Sequence, residues 1–347
     1  MHREPDTRGS GPFPPLRARL LSALVIGVAF GVIVYANLAR MQIALAWDFS
    51  WAWRAARALV EGLDPYIVIQ PTGGFPFDAP FKYPLPAALV ALPLARVQPW
   101  VAGGIFAGIS VGLLAFALTR EGWWRLIILA SAPFLLAASA VQWSPLITAA
   151  ALLPVSGALV VAKPTIGLAL FAAWPRRGVV FGGILLCAVG LLLLPRWPVE
   201  WLQIVLSNNE PHYRVPITTT LIGPFLLLAM LRWRTSEGRL LFAMACVPQT
   251  LVFYDQLPLL LIPRTSRELQ FATLCSQLGY AAAEWQTRHG STWGPIVSIP
   301  WCMASCYLPA LIIVLRHPND GTLPPAVERL WSRCNALLPR AIAMRGR

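Results

Sequence analysis

Residues 20–38 read LLSALVIGVAFGVIVYANL, an apolar stretch without a charged side chain. Its length matches the roughly 20 residues that an α-helix needs to cross the hydrocarbon core of a bilayer. The composition of the whole chain agrees, because 57% of the residues are hydrophobic and 12% are charged, whereas soluble domains carry about 25% charged residues. We therefore predict an all-α polytopic membrane protein.

Further apolar runs follow this first span along most of the chain. They cover residues 100–119, 126–141, 144–174, 178–195, 217–231, 239–254, 256–263, 269–283 and 294–315. Because proline interrupts the backbone hydrogen-bond ladder, Pro154 and Pro164 are expected to divide the 144–174 run into two or three short helices. The run at 83–97 is too short for an upright span. We predict about nine to eleven membrane helices in a single domain over residues 20–316.

The ends of the chain and its basic residues predict an orientation. Residues 1–19 are rich in Pro, Gly and Arg and predict a disordered cytoplasmic N-terminus, and residues 317–347 predict an Arg-containing cytoplasmic tail. If residues 83–97 do not change the parity of the crossings, most loop arginines fall inside and residues 41–83 form an outer loop. The net charge of +13 is scattered between apolar runs, which argues against nucleic acid as a partner. The six cysteines show neither metal spacing nor a disulfide framework.

The outer loop contains the most unusual segment, WDFSWAWRAARALVEGLDPY at residues 47–66. Apolar residues recur at helical spacing and Gly62 offers a C-cap, so we predict an interfacial helix over residues 49–61. Asp48 stands at its N-terminal end. Two interpretations remain open from residue chemistry: a helix N-cap, or a general base at the rim of an outward-facing cavity.

Five short elements in this order resemble glycosyltransferase family 87, a family of membrane-embedded C-type glycosyltransferases. They are GLDPY (62–66), FKYPLP (81–86), VQWSPLITAA (141–150), VVAKPTIGLAL (160–170) and VFYDQLPLLLIP (252–263). Together with the preceding aspartate and interfacial helix, they extend the resemblance over residues 20–265. Val141 stands where that family usually has glycine.

The resemblance implies an inverting enzyme that moves a sugar, with mannose as the leading candidate, from a polyprenyl-phosphate donor to a lipid or glycan acceptor. Asp48 corresponds to the general base. The implied phosphate-binding residues are Lys82, Lys163, Arg54, Arg57 and Arg214. The implied substrate-binding residues are Asp64, Tyr66, Tyr83, Gln142, His212 and Asp255. Neither a metal nor another cofactor is expected, and the site is expected to face outward from a bacterial plasma membrane.

Most of these residues also have a purely structural interpretation. Lys82 and Lys163, the only lysines in the chain, flank apolar runs where lysine commonly reaches toward the interface without binding a ligand. Arg54 and Arg57 can meet headgroups or Glu61. Asp64 and Tyr66 fit a turn, Asp255 fits a structural role at a helix end, and a lone loop histidine such as His212 is usually only solvated.

Two other functional classes stay open. A transporter or flippase would also place charges within broken helices, although the sequence contains no internal repeat. A non-catalytic assembly subunit could retain the same architecture. The intact Asp48 favours an enzyme.

Overall fold

The computed structural model describes residues 14–41, 46–72, 79–207, 213–290 and 294–320, together with 328, 329 and 332. The α-helices in these ranges are α1 (Leu16–Met41), α2 (Phe49–Val60), α3 (Pro65–Val68), α4 (Leu85–Ala91), α5 (Pro99–Leu118), α6 (Ala132–Ser139), α7 (Ser144–Leu152), α8 (Pro164–Ala173), α9 (Arg177–Leu193), α10 (Trp197–Leu206), α11 (Ser236–Cys246), α12 (Ser266–His289), α13 (Gly294–Cys302) and α14 (Leu308–Arg316).

Several apolar runs form other structures. The 3₁₀ segments are Leu92–Leu94, Trp123–Ala130, Pro154–Ala162, Pro216–Thr218, Gly223–Arg232 and Tyr254–Leu261. A π-helical turn, Met303–Tyr307, joins α13 to α14. The strands β1 (Tyr213–Arg214) and β2 (Gln249–Thr250) form one antiparallel pair. The described part of the chain is therefore an all-α membrane protein, as predicted.

Fewer helices are long enough to span a membrane than the nine to eleven predicted. Within the described residues, α1, α5 and the α13–α14 helix are long and apolar enough to cross. Two sharply bent pairs, α6 with α7 and α9 with α10, raise the number to five if each is one span. The difference arises because many apolar runs are divided by proline into short helices or 3₁₀ segments.

The ends of the first span were also misplaced by sequence analysis. Helix α1 begins at Leu16, inside the stretch predicted to be disordered, and continues to Met41 beyond the predicted end at Leu38. Residues 1–13 and most of the predicted tail at 317–347 lie outside the described residues.

Helices α1 and α5 run antiparallel in close contact. A Cβ atom placed on Gly27 would lie 2.7 Å from the carbonyl oxygen of Gly108, and one on Gly31 would lie 2.9 Å from that of Gly104. Glycine is therefore required for this backbone approach. Since the end of α1 and the start of α5 meet at the same end, residues 46–98 return to the side from which they came. The parity assumed for the membrane crossings at 83–97 stays a prediction.

Arginines mark the opposite end of the protein. Arg19 Nη2 donates to the Phe116 carbonyl at 2.9 Å, and Arg120 and Arg176 both reach the Leu152 carbonyl, at 3.4 and 3.3 Å. Arg239 donates to the carbonyls of Ala172, Ala173, Trp233 and Arg234. These side chains satisfy carbonyls that helices leave free at their C-terminal ends. We call this end the arginine end.

The helix hairpins between residues 132 and 173 follow the predicted proline breaks. The chain turns between α6 and α7 at 116°, and the 3₁₀ segment Pro154–Ala162 and helix α8 follow as two further short elements. Leu152 lies at the arginine end, so Gln142 and Lys163 are at the tips of successive hairpins on the other side. These tips carry the polar residues described below.

Helix α2 confirms the predicted helix near residues 49–61. It buries one face, which includes Phe49, Trp53 and Ala56. The Gly62 and Leu63 amides donate to the carbonyls of Leu59 and Ala58 at 3.1 and 2.8 Å, and Gly62 has φ of 72°, so the chain leaves α2 through a Schellman motif.

The α1–α5 contact yields a stability prediction. We expect Gly27→Ala to lower stability by about 1–3 kcal/mol, because the added methyl group meets backbone atoms that cannot move independently. Thermal unfolding of the purified protein in detergent measures this effect. Gly178→Ala is the control, since a Cβ there meets nothing within 4 Å. Equal melting temperatures for the two variants would contradict the prediction.

Candidate active site

Four polar side chains from distant parts of the chain meet at the end opposite the arginine end. Lys163 Nζ lies 2.6 Å from Asp255 Oδ1 and 3.3 Å from Gln142 Oε1. Gln142 Nε2 donates in turn to Asp48 Oδ2. The four residues form one continuous hydrogen-bonded chain, Asp255–Lys163–Gln142–Asp48.

Each of the four residues stands at a break in helical structure. Asp48 immediately precedes α2, Gln142 lies between α6 and α7, Lys163 immediately precedes α8, and Asp255 is in the first turn of the 3₁₀ segment Tyr254–Leu261. Polar groups within apolar runs must be paired inside the protein. The breaks permit this pairing, because they aim side chains at one another instead of along separate helices.

Backbone strain is concentrated at these breaks. Trp47, Val141 and Phe253 have φ values of 45°, 52° and 70°. Non-glycine residues rarely adopt positive φ, and bulky ones do so at a cost of about 1–3 kcal/mol. The three residues lie one or two positions before Asp48, Gln142 and Asp255.

Burial distinguishes the members of the chain. Asp255 is 0% exposed and Gln142 is 2% exposed, while the Lys163 side chain keeps 13% of its surface. The second oxygen of Asp255 accepts a hydrogen bond from the Thr250 amide at 3.1 Å. The ion pair is therefore built into the protein, and Lys163 is not the lipid-facing cation of the structural interpretation.

Asp48 occupies the N-cap position of α2, yet its side chain makes no capping hydrogen bond. Its backbone amide donates to the Ala140 carbonyl at 3.2 Å, which ties it to the turn that carries Gln142. Burial raises the pKa of Asp48 to about 6; the Asp255 charge adds to the rise, and Lys163 and the Gln142 hydrogen bond oppose it. Of the two sequence interpretations, the structure disfavours the cap.

Aromatic rings form one wall behind Asp48. Trp143 is fully buried and packs against Phe106, Phe49 and Tyr83, with ring centroids 5.0, 6.1 and 6.0 Å apart. Phe106 is the eighth residue of α5, so the wall lies about 10 Å along the helix from its start. The site is thus recessed below the end of the long helices. Burial together with Asp48 and Asp255 raises the pKa of Tyr83.

An apolar groove of about 560 Å³ opens beside this cluster. Its lining includes residues of α8, α9 and α10, among them Pro164 and Trp201, and also Pro84, which precedes α4. Pro84 and Pro164 follow Tyr83 and Lys163 directly in sequence, so the groove borders two segments that also carry site residues. Trp201, which lines the groove, donates from Nε1 to the main-chain carbonyl of Lys82 at 3.0 Å, so the Lys82 backbone borders the groove. Burial lowers the pKa of the Lys82 side chain.

The other predicted site residues are distributed around this centre. Arg57 lies 3.9 Å from Glu61 and over the Trp53 ring, as its structural interpretation predicted, and Arg54 is half-buried on the same helix. Arg214 is exposed on β1. His212 lies outside the described residues.

Asp64 and Tyr66 have structural contacts. Asp64 caps α3 by accepting from the Tyr66 amide at 2.8 Å, and the Tyr66 hydroxyl donates to the Tyr83 carbonyl at 3.1 Å. This agrees with the turn predicted for GLDPY. These contacts support the Tyr83 segment and lie outside the hydrogen-bonded chain Asp255–Lys163–Gln142–Asp48.

Sequence analysis missed Trp143, Tyr213 and Tyr254. Lys163 Nζ lies 5.6 Å from the centre of the Tyr254 ring, and Tyr213 hydrogen-bonds Thr165, while burial and Asp255 raise its pKa to about 12. Each of the three is adjacent in sequence to a residue that was selected, Gln142, Arg214 or Asp255, and this adjacency was the available signal. Among the described residues, no group of three or more His, Cys, Asp or Glu side chains is arranged to hold a metal ion.

Comparisons with protein-family models, curated proteins and solved structures found no match for this chain.

The buried ion pair leads to a second prediction. We expect Lys163→Met to destabilise the protein by about 3–5 kcal/mol, because it leaves Asp255 buried without its counter-ion. The double variant Lys163→Met/Asp255→Leu should be more stable than the single variant, since no charge remains unpaired. Unfolding in detergent measures both. If the double variant is the less stable one, the two charges are not an obligate pair.

Proposed function

We propose that this protein is a membrane glycosyltransferase that moves a sugar, with mannose as the leading candidate, from a polyprenyl-phosphate donor to a lipid or glycan hydroxyl. The observation that carries the proposal is Asp48, a carboxylate with a pKa near 6 in a recessed polar cluster beside an apolar groove. The resemblance to glycosyltransferase family 87 supports the same assignment. A C-type arrangement and an outward-facing site in a bacterial plasma membrane are parts of this proposal.

The groove and Lys82 fit the two ends of such a donor. A polyprenyl chain is apolar and belongs in lipid or in a greasy groove, whereas its phosphate needs a cation and hydrogen-bond donors. The groove is lined almost entirely by apolar side chains, and the main chain of Lys82 borders it through the Trp201 hydrogen bond. We assign the leaving phosphate to Lys82, because its main chain borders the groove.

The reaction requires one base. Asp48 takes the proton of the acceptor hydroxyl as the acceptor oxygen forms a bond to the anomeric carbon. The bond from that carbon to the phosphate oxygen breaks, and its electron pair leaves with polyprenyl phosphate. Attack from the face opposite the leaving group inverts the anomeric centre. A base with a pKa near neutrality is well matched to this task.

A transfer assay tests the assignment. Membranes containing the wild type, supplied with labelled polyprenyl-phosphate mannose and a lipid extract from the source cells, are expected to form a new labelled product. Asp48→Asn should lower the rate by at least about 100-fold, because an amide cannot accept the proton.

The matched control is Glu284→Gln, an equal loss of charge in the last turns of α12, where Glu284 lies 3.6 Å from Arg288 and hydrogen-bonds Tyr280. It should retain wild-type activity, and all variants must accumulate to the same level. Full activity in Asp48→Asn would remove the base from the proposal. Transfer from another polyprenyl-phosphate sugar, but not from polyprenyl-phosphate mannose, would change the proposed donor sugar and leave the reaction class in place.

The pKa of Asp48 predicts a pH profile. A general base acts when deprotonated, so kcat/KM should be level above about pH 7 and fall about tenfold for each pH unit below 6. Initial rates between pH 5 and 8.5 measure this limb. A profile that is flat down to pH 5 would contradict the raised pKa of Asp48.

A transporter is the second candidate, and one observation favours it. The Lys163–Asp255 pair is buried at helix breaks, an arrangement that transporters use to bind substrates and ions. Movement of a polyprenyl-phosphate sugar across sealed vesicles without formation of a new glycoside would favour this candidate over the enzyme.

A further inference from the structure

Gln142 has a fixed orientation in the polar chain. Its amide group lies between Lys163 and Asp48, and a lysine ammonium can only donate hydrogen bonds. The carbonyl oxygen of Gln142 must therefore face Lys163, which turns its NH₂ group toward Asp48. Asp255 fixes Lys163 in turn, at 2.6 Å.

This orientation makes the two oxygens of Asp48 different. Oδ2 accepts the hydrogen bond from Gln142, so a proton on that oxygen would meet another donor. Oδ1 is the oxygen that can take a proton. The backbone hydrogen bond from Asp48 to Ala140 and the buried Gln142 side chain keep this geometry, because neither partner can turn away without breaking a contact.

Within the described residues, the titratable groups that act on Asp48 are Lys163 and Asp255, of opposite charge, and the Tyr83 and Tyr254 phenols. Lys163 lowers the pKa of Asp48 and Asp255 raises it, so the two effects oppose each other. Gln142 is the neutral group in direct contact with it. Replacing Gln142 therefore tests the amide hydrogen bond without changing the net charge around Asp48.

We propose that Gln142 is a positioning residue, oriented by Lys163, that holds Asp48 Oδ2 as a hydrogen-bond acceptor and reserves Oδ1 for the proton of the acceptor hydroxyl. The inference rests on the proposed function, since it names how the base of that reaction is prepared. It also changes the role of Lys163, from a cation that meets the donor phosphate to one that orients a glutamine.

Gln142→Met tests the amide without changing charge or much volume. Loss of the hydrogen bond that favours the carboxylate should move the acidic limb of the pH profile upward by about one unit. The control is Gln256→Met, because Gln256 is also fully buried but its amide donates to Gln249 Oε1 at 3.0 Å and to the Thr250 carbonyl at 3.2 Å, outside the hydrogen-bonded chain that ends at Asp48. The acidic limb of the pH profile of Gln256→Met should stay at the wild-type position even if the rate of transfer falls.

Infrared titration of the Asp48 carboxyl band, identified by its loss in Asp48→Asn, gives the same measurement without turnover. If Gln142→Met moves this titration while no sugar transfer is found in the wild type, the positioning contact stands and the proposed function falls. If wild type is active and the limb and the band both stay in place in Gln142→Met, Gln142 only fills space and the inference is overturned.

The double variant Lys163→Met/Asp255→Leu tests what orients the amide. It removes one positive and one negative charge, so their effects on Asp48 largely cancel, while Gln142 becomes free to turn. The titration of Asp48 should move upward, in the same direction as in Gln142→Met, and adding Gln142→Met should move it little further. An unshifted titration in the double variant would show that Lys163 does not hold the amide.

Discussion

The ion pair between Lys163 and Asp255 is the interaction on which the recessed end of the protein depends. It joins the tip of one broken hairpin to the start of a 3₁₀ segment more than 90 residues away in sequence. In an apolar environment neither charge is stable alone. The pair therefore fixes the distance between the start of α8 and the start of the 3₁₀ segment Tyr254–Leu261. Gln142 and Asp48 are then held by hydrogen bonds that begin at the same lysine.

Local signals in the sequence predicted local structure well. The helix near residues 49–61, its end at Gly62 and the breaks at Pro154 and Pro164 all follow from periodicity, glycine and proline, and the structure has each of them. The number of spanning helices was overestimated because hydropathy does not reveal whether an apolar run is a full helix, a half-length helix or a 3₁₀ segment.

Sequence analysis identified the residues of the site but did not predict which of them contact one another. Asp48, Gln142, Lys163 and Asp255 were all selected, but Lys163 and Asp255 were assigned separate roles, and which residues meet is decided by packing between distant elements. One physical argument could have linked them, since opposite charges within apolar runs seldom remain unpaired. The positive φ values at Trp47, Val141 and Phe253 could not have been foreseen from three bulky residues that prefer other conformations.

At the arginine end, the joint between α8 and α11 is held by hydrogen bonds to neutral groups and not by an ion pair of the kind that joins Lys163 to Asp255. Arg239 donates to four main-chain carbonyls, which are neutral, so ions in solution screen these contacts less than they screen attraction between two full charges. The joint between α8 and α11 is therefore comparatively insensitive to ionic strength. A change from dilute to concentrated salt should therefore leave this joint in place, and with it the helix α8 whose other end begins beside Lys163.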